Sequence, residues 1–215
     1  MSINNQLKNL YSSYIDDFNE FSLKFKNKNL HGPLLIEVNK YVDEPLKLMV
    51  IGQETYGWDQ SLKIQEQLLS YREFDFGSQY KSTPFWNIIR KVESSLKVSP
   101  FAIAWSNLNR FDQGIGEPKE EVLDEITQFD QILKKEIEIL NPDICILFTN
   151  HKYDNRLVKM YEGLTFEHID SLPEKHFARL THPSLPSLTI RAPHPKTIRI
   201  NSWEDSFIKY IRNLV

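Results

Sequence analysis

The chain has 215 residues, a formal net charge of -3, 40% hydrophobic and 26% charged residues. That balance is globular, and the length suits one domain over residues 1–215 with a covered sheet. The acidic balance excludes nucleic-acid binding by overall positive charge, and a single cysteine excludes disulfide frameworks, Cys-ligated zinc and iron–sulfur clusters within one chain.

Apolar spacings of three and four (Leu7, Leu10, Tyr14, Phe18, Phe21, Phe25) predict an amphipathic helix over residues 6–25, so that about residues 1–30 pack as an N-terminal helical segment. Four short apolar runs predict strands, at 46–51, 101–105, 144–148 and 188–192. Cys145 sits inside the third and reads as a small buried hydrophobe. Between the runs the pattern is helical. Ser82, Thr83 and Pro84 give a hydroxyl cap and an early proline. Phe85, Ile88, Ile89, Val92 and Leu96 follow as one stripe. Residues 117–140 and 202–214 carry further stripes. Strands alternating with helices imply parallel crossovers: an α/β, three-layer αβα fold on a short four-stranded parallel sheet. No apolar stretch is long enough to span a bilayer, so no membrane partner is expected. Residues 1–6 lack an apolar signal region, which makes the cytoplasm the expected compartment.

Ligands of such sheets bind beyond the carboxyl ends of the strands. There the sequence places Gly52-Gln53-Glu54-Thr55-Tyr56-Gly57-Trp58, then Ser106-Asn107-Leu108-Asn109-Arg110, then Thr149-Asn150-His151-Lys152, then Pro193-His194-Pro195-Lys196. A carboxylate, an amide, imidazoles and aromatics therefore converge on one rim. Those types suit hydrolysis of an N-glycosidic bond, which builds positive charge on the sugar and negative charge on the leaving base. Glu54 can orient water and stabilise the cation, the kind of role worth about 10²–10⁴-fold. His194 can donate to the base oxygen. Asn107 can pair with a base edge through both a donor and an acceptor. Tyr56 can wall the pocket, and Phe74 or Phe76 can stack on the base. No metal or redox cofactor is needed. Each residue also has a structural use: Glu54 at a helix start, His194 and Asn107 as turn formers, and the aromatics as packing.

This order of motifs resembles the uracil-DNA glycosylase superfamily over roughly residues 46–200. In that superfamily Gly-Gln-Asp-Pro-Tyr-His follows the first strand, an Asn the second and His-Pro-Ser the last. Here the matching residues are Gly52, Gln53 and Tyr56, then Asn107, then His194 and Pro195. Glu54 replaces the Asp, Thr55 the Pro, Gly57 the His and Lys196 the Ser. Thr55 gives a turn expected to be less rigid than proline would. The wedge leucine has no evident counterpart, Ile198 being the nearest apolar residue. The resemblance implies a glycosylase-like hydrolase that acts on a flipped base, with Glu54 and His194 catalytic and Gln53, Tyr56, Phe74, Phe76 and Asn107 around the substrate. The partner is then DNA or another nucleobase-containing ligand. Lys196, Arg199, Lys152 and Arg191 are the candidate phosphate contacts. His151 reads as a helix start. His182-Pro183-Ser184 precedes the fourth strand and is set aside. The alternative is a module that binds a nucleobase without cleaving it. An unrelated doubly wound enzyme would need a Gly-rich phosphate loop, and the sequence has none.

Overall fold

The structure, a computed structural model, describes residues 1–76 and 82–214. Within them the chain runs α1 (Ile3–Ser12), α2 (Ile15–Lys24), β1 (Leu30–His31), β2 (Leu48–Gly52), α3 (Ile64–Phe74), α4 (Pro84–Leu96), β3 (Ala104–Asn107) and β4 (Asp112–Gln113). It continues through α5 (Glu120–Glu125), α6 (Asp130–Leu140), β5 (Ile144–Leu147), α7 (Asp154–Met160), β6 (Thr165–Glu167), β7 (Ala178–Thr181), β8 (Leu188–Arg191), α8 (Pro195–Ile200) and α9 (Glu204–Arg212).

The described residues form a main sheet ordered β3-β2-β5-β8-β7-β6. The strands expected from sequence are β3, β2, β5 and β8, and each pairs parallel with its neighbour. The sheet is nevertheless six-stranded and mixed, because β7 and β6 extend it antiparallel. Both carry weak signals: β7 is buried on one face only, and β6 is mostly exposed. Helices flank the sheet in two packed groups, α4 with α8 and α9, and α6 with α1 and α7. No helix among the described residues is long and apolar enough to cross a membrane.

Several boundaries move for local reasons. The helix expected over 6–25 is two helices. Ser13 and Tyr14 form a turn between them, so α1 packs on α6 while Phe18 and Phe21 of α2 pack on Phe111 and Phe129 at 5.0–6.1 Å between ring centroids. The second strand starts late because Phe101 takes a left-handed φ of 65°. Asn107 is therefore the last residue of β3, registered beside Gly52 at the end of β2. Helix α4 begins as expected: the Thr83 hydroxyl accepts from Trp86 N–H, with Pro84 in the first turn. The stretch 117–140 is broken by a 3₁₀ turn at Ile126–Phe129, and Glu117 stands outside it, bonded to Lys152 and Tyr153. The stretch 202–214 helps only from Glu204, after the separate short helix α8.

Below the rim lies a buried charge pair. Arg110 and Glu136 are 1% and 0% exposed in their side chains, and the guanidinium grips both carboxylate oxygens. The hydroxyls of Tyr11 and Ser106 donate to the same carboxylate at 2.8 and 2.7 Å, and Arg110 also donates to the Leu34 carbonyl at 3.0 Å. The N-terminal helix, the end of β3 and α6 thus meet at one carboxylate. Removing one partner leaves a charge uncompensated in the interior. Arg110→Met is therefore expected to lower the unfolding free energy by about 3–5 kcal/mol in a urea titration, while Arg110→Met with Glu136→Leu recovers most of the loss. A single variant within about 1 kcal/mol of wild type would show that the pair does not organise this region.

Candidate functional site

A cleft of about 940 Å³ opens where β2 and β3 end. Its lining includes Gln53, Glu54, Tyr56, Phe74, Asn107, His194 and Lys196. Seven of the residues singled out from sequence thus share one cavity.

The loop after β2 is fixed from behind by Asp112, which is fully buried at the start of β4. Its Oδ2 accepts from the Thr55 hydroxyl at 2.6 Å and from the N–H groups of Gly57 and Trp58 at 3.0 and 3.1 Å. His31 Nδ1 bonds Oδ1 at 2.6 Å. The buried Thr55 hydroxyl thus ties this turn to β4.

Glu54 projects from this loop into the cleft. Asn109 Nδ2 donates to it at 3.2 Å and to Tyr153 Oη at 3.0 Å. Asn109 is itself held by Arg156, which donates to its Oδ1 at 2.7 Å and pairs with Asp130. Burial pushes the Glu54 carboxyl from the ordinary 4.5 up to about 7. The carboxylates of Glu117 and Asp112 push the same way, against the Asn109 bond and Lys152.

Asn107 is fully buried, yet neither Nδ2 nor Oδ1 has a hydrogen-bond partner among the described residues. A Cβ on Gly52 would collide with that Oδ1, so only glycine leaves room for the amide. Trp105 Nε1 is a second buried donor without a partner in the same lining. Buried polar groups are nearly always paired, so a buried, unpaired amide among the residues that line a cleft stands out as a candidate binding feature.

His194 caps α8: its Nδ1 accepts from Lys196 N–H at 3.1 Å, and its ring stacks on Phe85 with centroids 5.8 Å apart. Burial lowers its pKa, helped by Lys196 and Lys152. The imidazole is therefore neutral at pH 7, with its proton on Nε2, a donor. The opposite wall is aromatic. Phe74 lies 5.6, 5.5 and 5.4 Å from Trp58, Trp86 and Trp105.

Other expectations fall elsewhere. Tyr56 is 80% exposed and stands at the mouth rather than closing a wall. Phe76 is outside the lining, packed on Tyr71, Trp86 and Trp105. Ile198 is fully buried and cannot serve as a wedge. Gln53 Nε2 donates to the Phe148 carbonyl at 3.4 Å. Of the four candidate phosphate contacts, Lys196 lines the cleft. Lys152 is paired with Glu117 and Arg199 with Glu204. Arg191 is buried in β8, where it meets Asp154 and the Lys175 carbonyl, so it cannot reach a phosphate. His151 opens a 3₁₀ turn and packs against His176, His182 packs against Tyr161, and neither His151 nor the 182–184 motif is in the cleft lining. No group of three or more His, Cys, Asp or Glu residues that could hold a metal occurs among the described residues. Sequence reasoning missed Asn109, Asp112 and Trp105. Asn109 and Asp112 carried a signal, since 106–112 is unusually polar for a segment leaving a buried strand, whereas Trp105 read only as core. No known protein family matches the sequence, and no curated protein matches it either.

A carboxyl whose folded pKa lies above its ordinary value holds its proton more tightly when folded. The stability this gives is complete at low pH and is lost as pH rises through about 7. Glu54→Gln removes that loss. Its unfolding free energy relative to wild type is expected to rise by about 1–3 kcal/mol between about pH 5 and about pH 8. A difference that stays flat across this range would mean that Glu54 ionises as it does in water.

Proposed function

We propose that the chain is a uracil-DNA glycosylase-like hydrolase, which cuts the N-glycosidic bond of a base flipped out of DNA. The observation that carries this reading is the buried, unpaired amide of Asn107 in a cleft that also holds Glu54 and His194. A nucleobase edge offers an adjacent donor and acceptor, which is what that amide lacks. The aromatic wall around Phe74 gives the base a face to stack on.

The chemistry follows from the three polar groups. In its ionised form Glu54 takes a proton from water as the oxygen attacks C1′. The C1′–N bond breaks and its electron pair goes to the base. The Nε2–H of His194 bonds the base oxygen on which the negative charge gathers. One such donor is worth about 3–4 kcal/mol in other enzymes. Flipping is required because the bond is out of reach in the stack.

A second reading, a module that binds a nucleobase without cleaving it, draws on the ion pairs of Lys152, Arg199 and Arg191, which leave Lys196 as the one lining cation among the described residues. Incubation with single- and double-stranded oligonucleotides carrying uracil or other modified bases, followed by an assay for abasic sites, separates the two. The hydrolase reading predicts product whose rate climbs with pH to a plateau above about 7, where Glu54 is ionised. Glu54→Gln and His194→Ala should each slow it by about 10²-fold or more. Absence of product on every substrate, together with thermal protection by a free base or nucleoside, would replace hydrolysis with binding.

A further inference from the structure

We infer that the base this cleft accepts is a cationic N-alkylpurine, with adenine alkylated at N3 the best fit, rather than uracil. The inference rests on reading the cleft as a nucleobase site and specifies which base enters.

Size is the first argument. At about 940 Å³ the cleft lies near the upper end for small-ligand pockets and far exceeds a pyrimidine ring. Tyr56 is 80% exposed and does not narrow it, and Gly57 adds no side chain. A two-ring base has room that a pyrimidine would leave to water.

Charge is the second. The lining holds three carboxyl groups, Glu54, Asp59 and Glu73, against one cation, Lys196. Asp59 accepts from Ser61 N–H at 2.8 Å and from the Ser70 hydroxyl at 2.5 Å, which fixes its position at the wall. Glu73 has no hydrogen bond or ion pair among the described residues and stands exposed at the rim. The same lining holds the rings of Trp58, Phe74, Trp86 and Trp105, neighbours at 5.2–5.7 Å between centroids, with Arg90 already 5.9 Å over the Trp86 ring. Indole faces attract cations more strongly than the other aromatic side chains do. A wall of indoles ringed by carboxylates attracts a positively charged base and repels the anion that a departing uracil becomes.

Hydrogen bonding is the third and is independent of charge. The Asn107 amide pairs bidentately with the N6 and N7 positions of adenine. Alkylation at N3 puts a positive charge on the ring and leaves that edge free.

The reaction balances without a proton for the leaving group. Water oxygen bonds to C1′ and Glu54 takes the water proton. The C1′–N9 bond breaks with its electron pair passing to N9, which cancels the ring charge. The purine departs neutral. His194 has no growing negative charge to stabilise, so its donor matters less here than for uracil.

The test supplies the intact protein with methylated DNA, which carries 3-methyladenine and 7-methylguanine, and in parallel with uracil-containing DNA, and measures released bases by chromatography. The expected result is alkylpurine release at least about 10²-fold faster than uracil release, lost in Glu54→Gln. The factor by which His194→Ala slows alkylpurine release should be smaller than the factor by which it slows uracil release. Glu73→Lys, at an exposed position, should raise KM for methylated DNA by about fivefold and leave the melting temperature unchanged. Release of uracil without alkylpurine overturns this inference and leaves the hydrolase reading standing. Release of neither base overturns both.

Discussion

The carboxylate of Glu136 is the point from which the candidate site is built. It sits in the interior, gripped by Arg110 and bonded by Tyr11 and Ser106. A buried ion pair of this kind adds little net stability, because desolvation offsets most of the attraction. What it fixes is position. Ser106 and Arg110 are both tied to Glu136, so the segment between them cannot shift along its own length. Asn107 and Asn109 lie inside that span, and Asp112 follows two residues later. Asn107 then faces the cleft, Asn109 reaches Glu54, and Asp112 pins the loop that carries Glu54. One buried carboxylate thereby sets the relative placement of a second carboxyl and an amide on the neighbouring strand end.

The contacts that place Glu54 also set its charge. Its oxygen receives one amide hydrogen bond, while Glu117 and Asp112 add negative potential from behind. Burial dominates, so the carboxyl changes state near neutrality. A general base works best with a pKa close to the working pH, and the role proposed for Glu54 draws on this environment. His194 is tuned the opposite way: burial and two nearby lysines keep it neutral, leaving a donor on Nε2. Two ionisable groups on one cleft are thus shifted so that a carboxyl changes state near neutrality while an imidazole stays neutral, a pattern that neither residue type dictates alone.

Much of this was legible from residue order. The parallel strands appear as short apolar runs bounded by turn residues, and their carboxyl ends mark the rim. Glu54, Asn107 and His194 follow from that rule and do line one cavity. What escaped has physical reasons. Strands β6 and β7 are partly exposed and lack continuous apolar runs. The break at Ser13 and Tyr14 leaves the three-and-four spacing intact, so periodicity alone joins the two helices. The engagement of Arg191 depends on Asp154, which is distant in sequence. Trp105 looks like core and is core, but it also lines the cleft, and its buried indole N–H has no partner among the described residues. Asp112 is the plainest omission. Its role is to accept hydrogen bonds from a loop more than fifty residues earlier, and only the folded chain brings the two together.

The most direct test of the central claim is a crystal structure of the Glu54→Gln protein bound to an oligonucleotide that carries a cleavage-resistant purine analogue. The account predicts the base in the cleft, its edge bonded to both Asn107 Nδ2 and Oδ1 and its face against the aromatic wall. A base bound elsewhere, or one seated in the cleft with the Asn107 amide still unpaired, would contradict it.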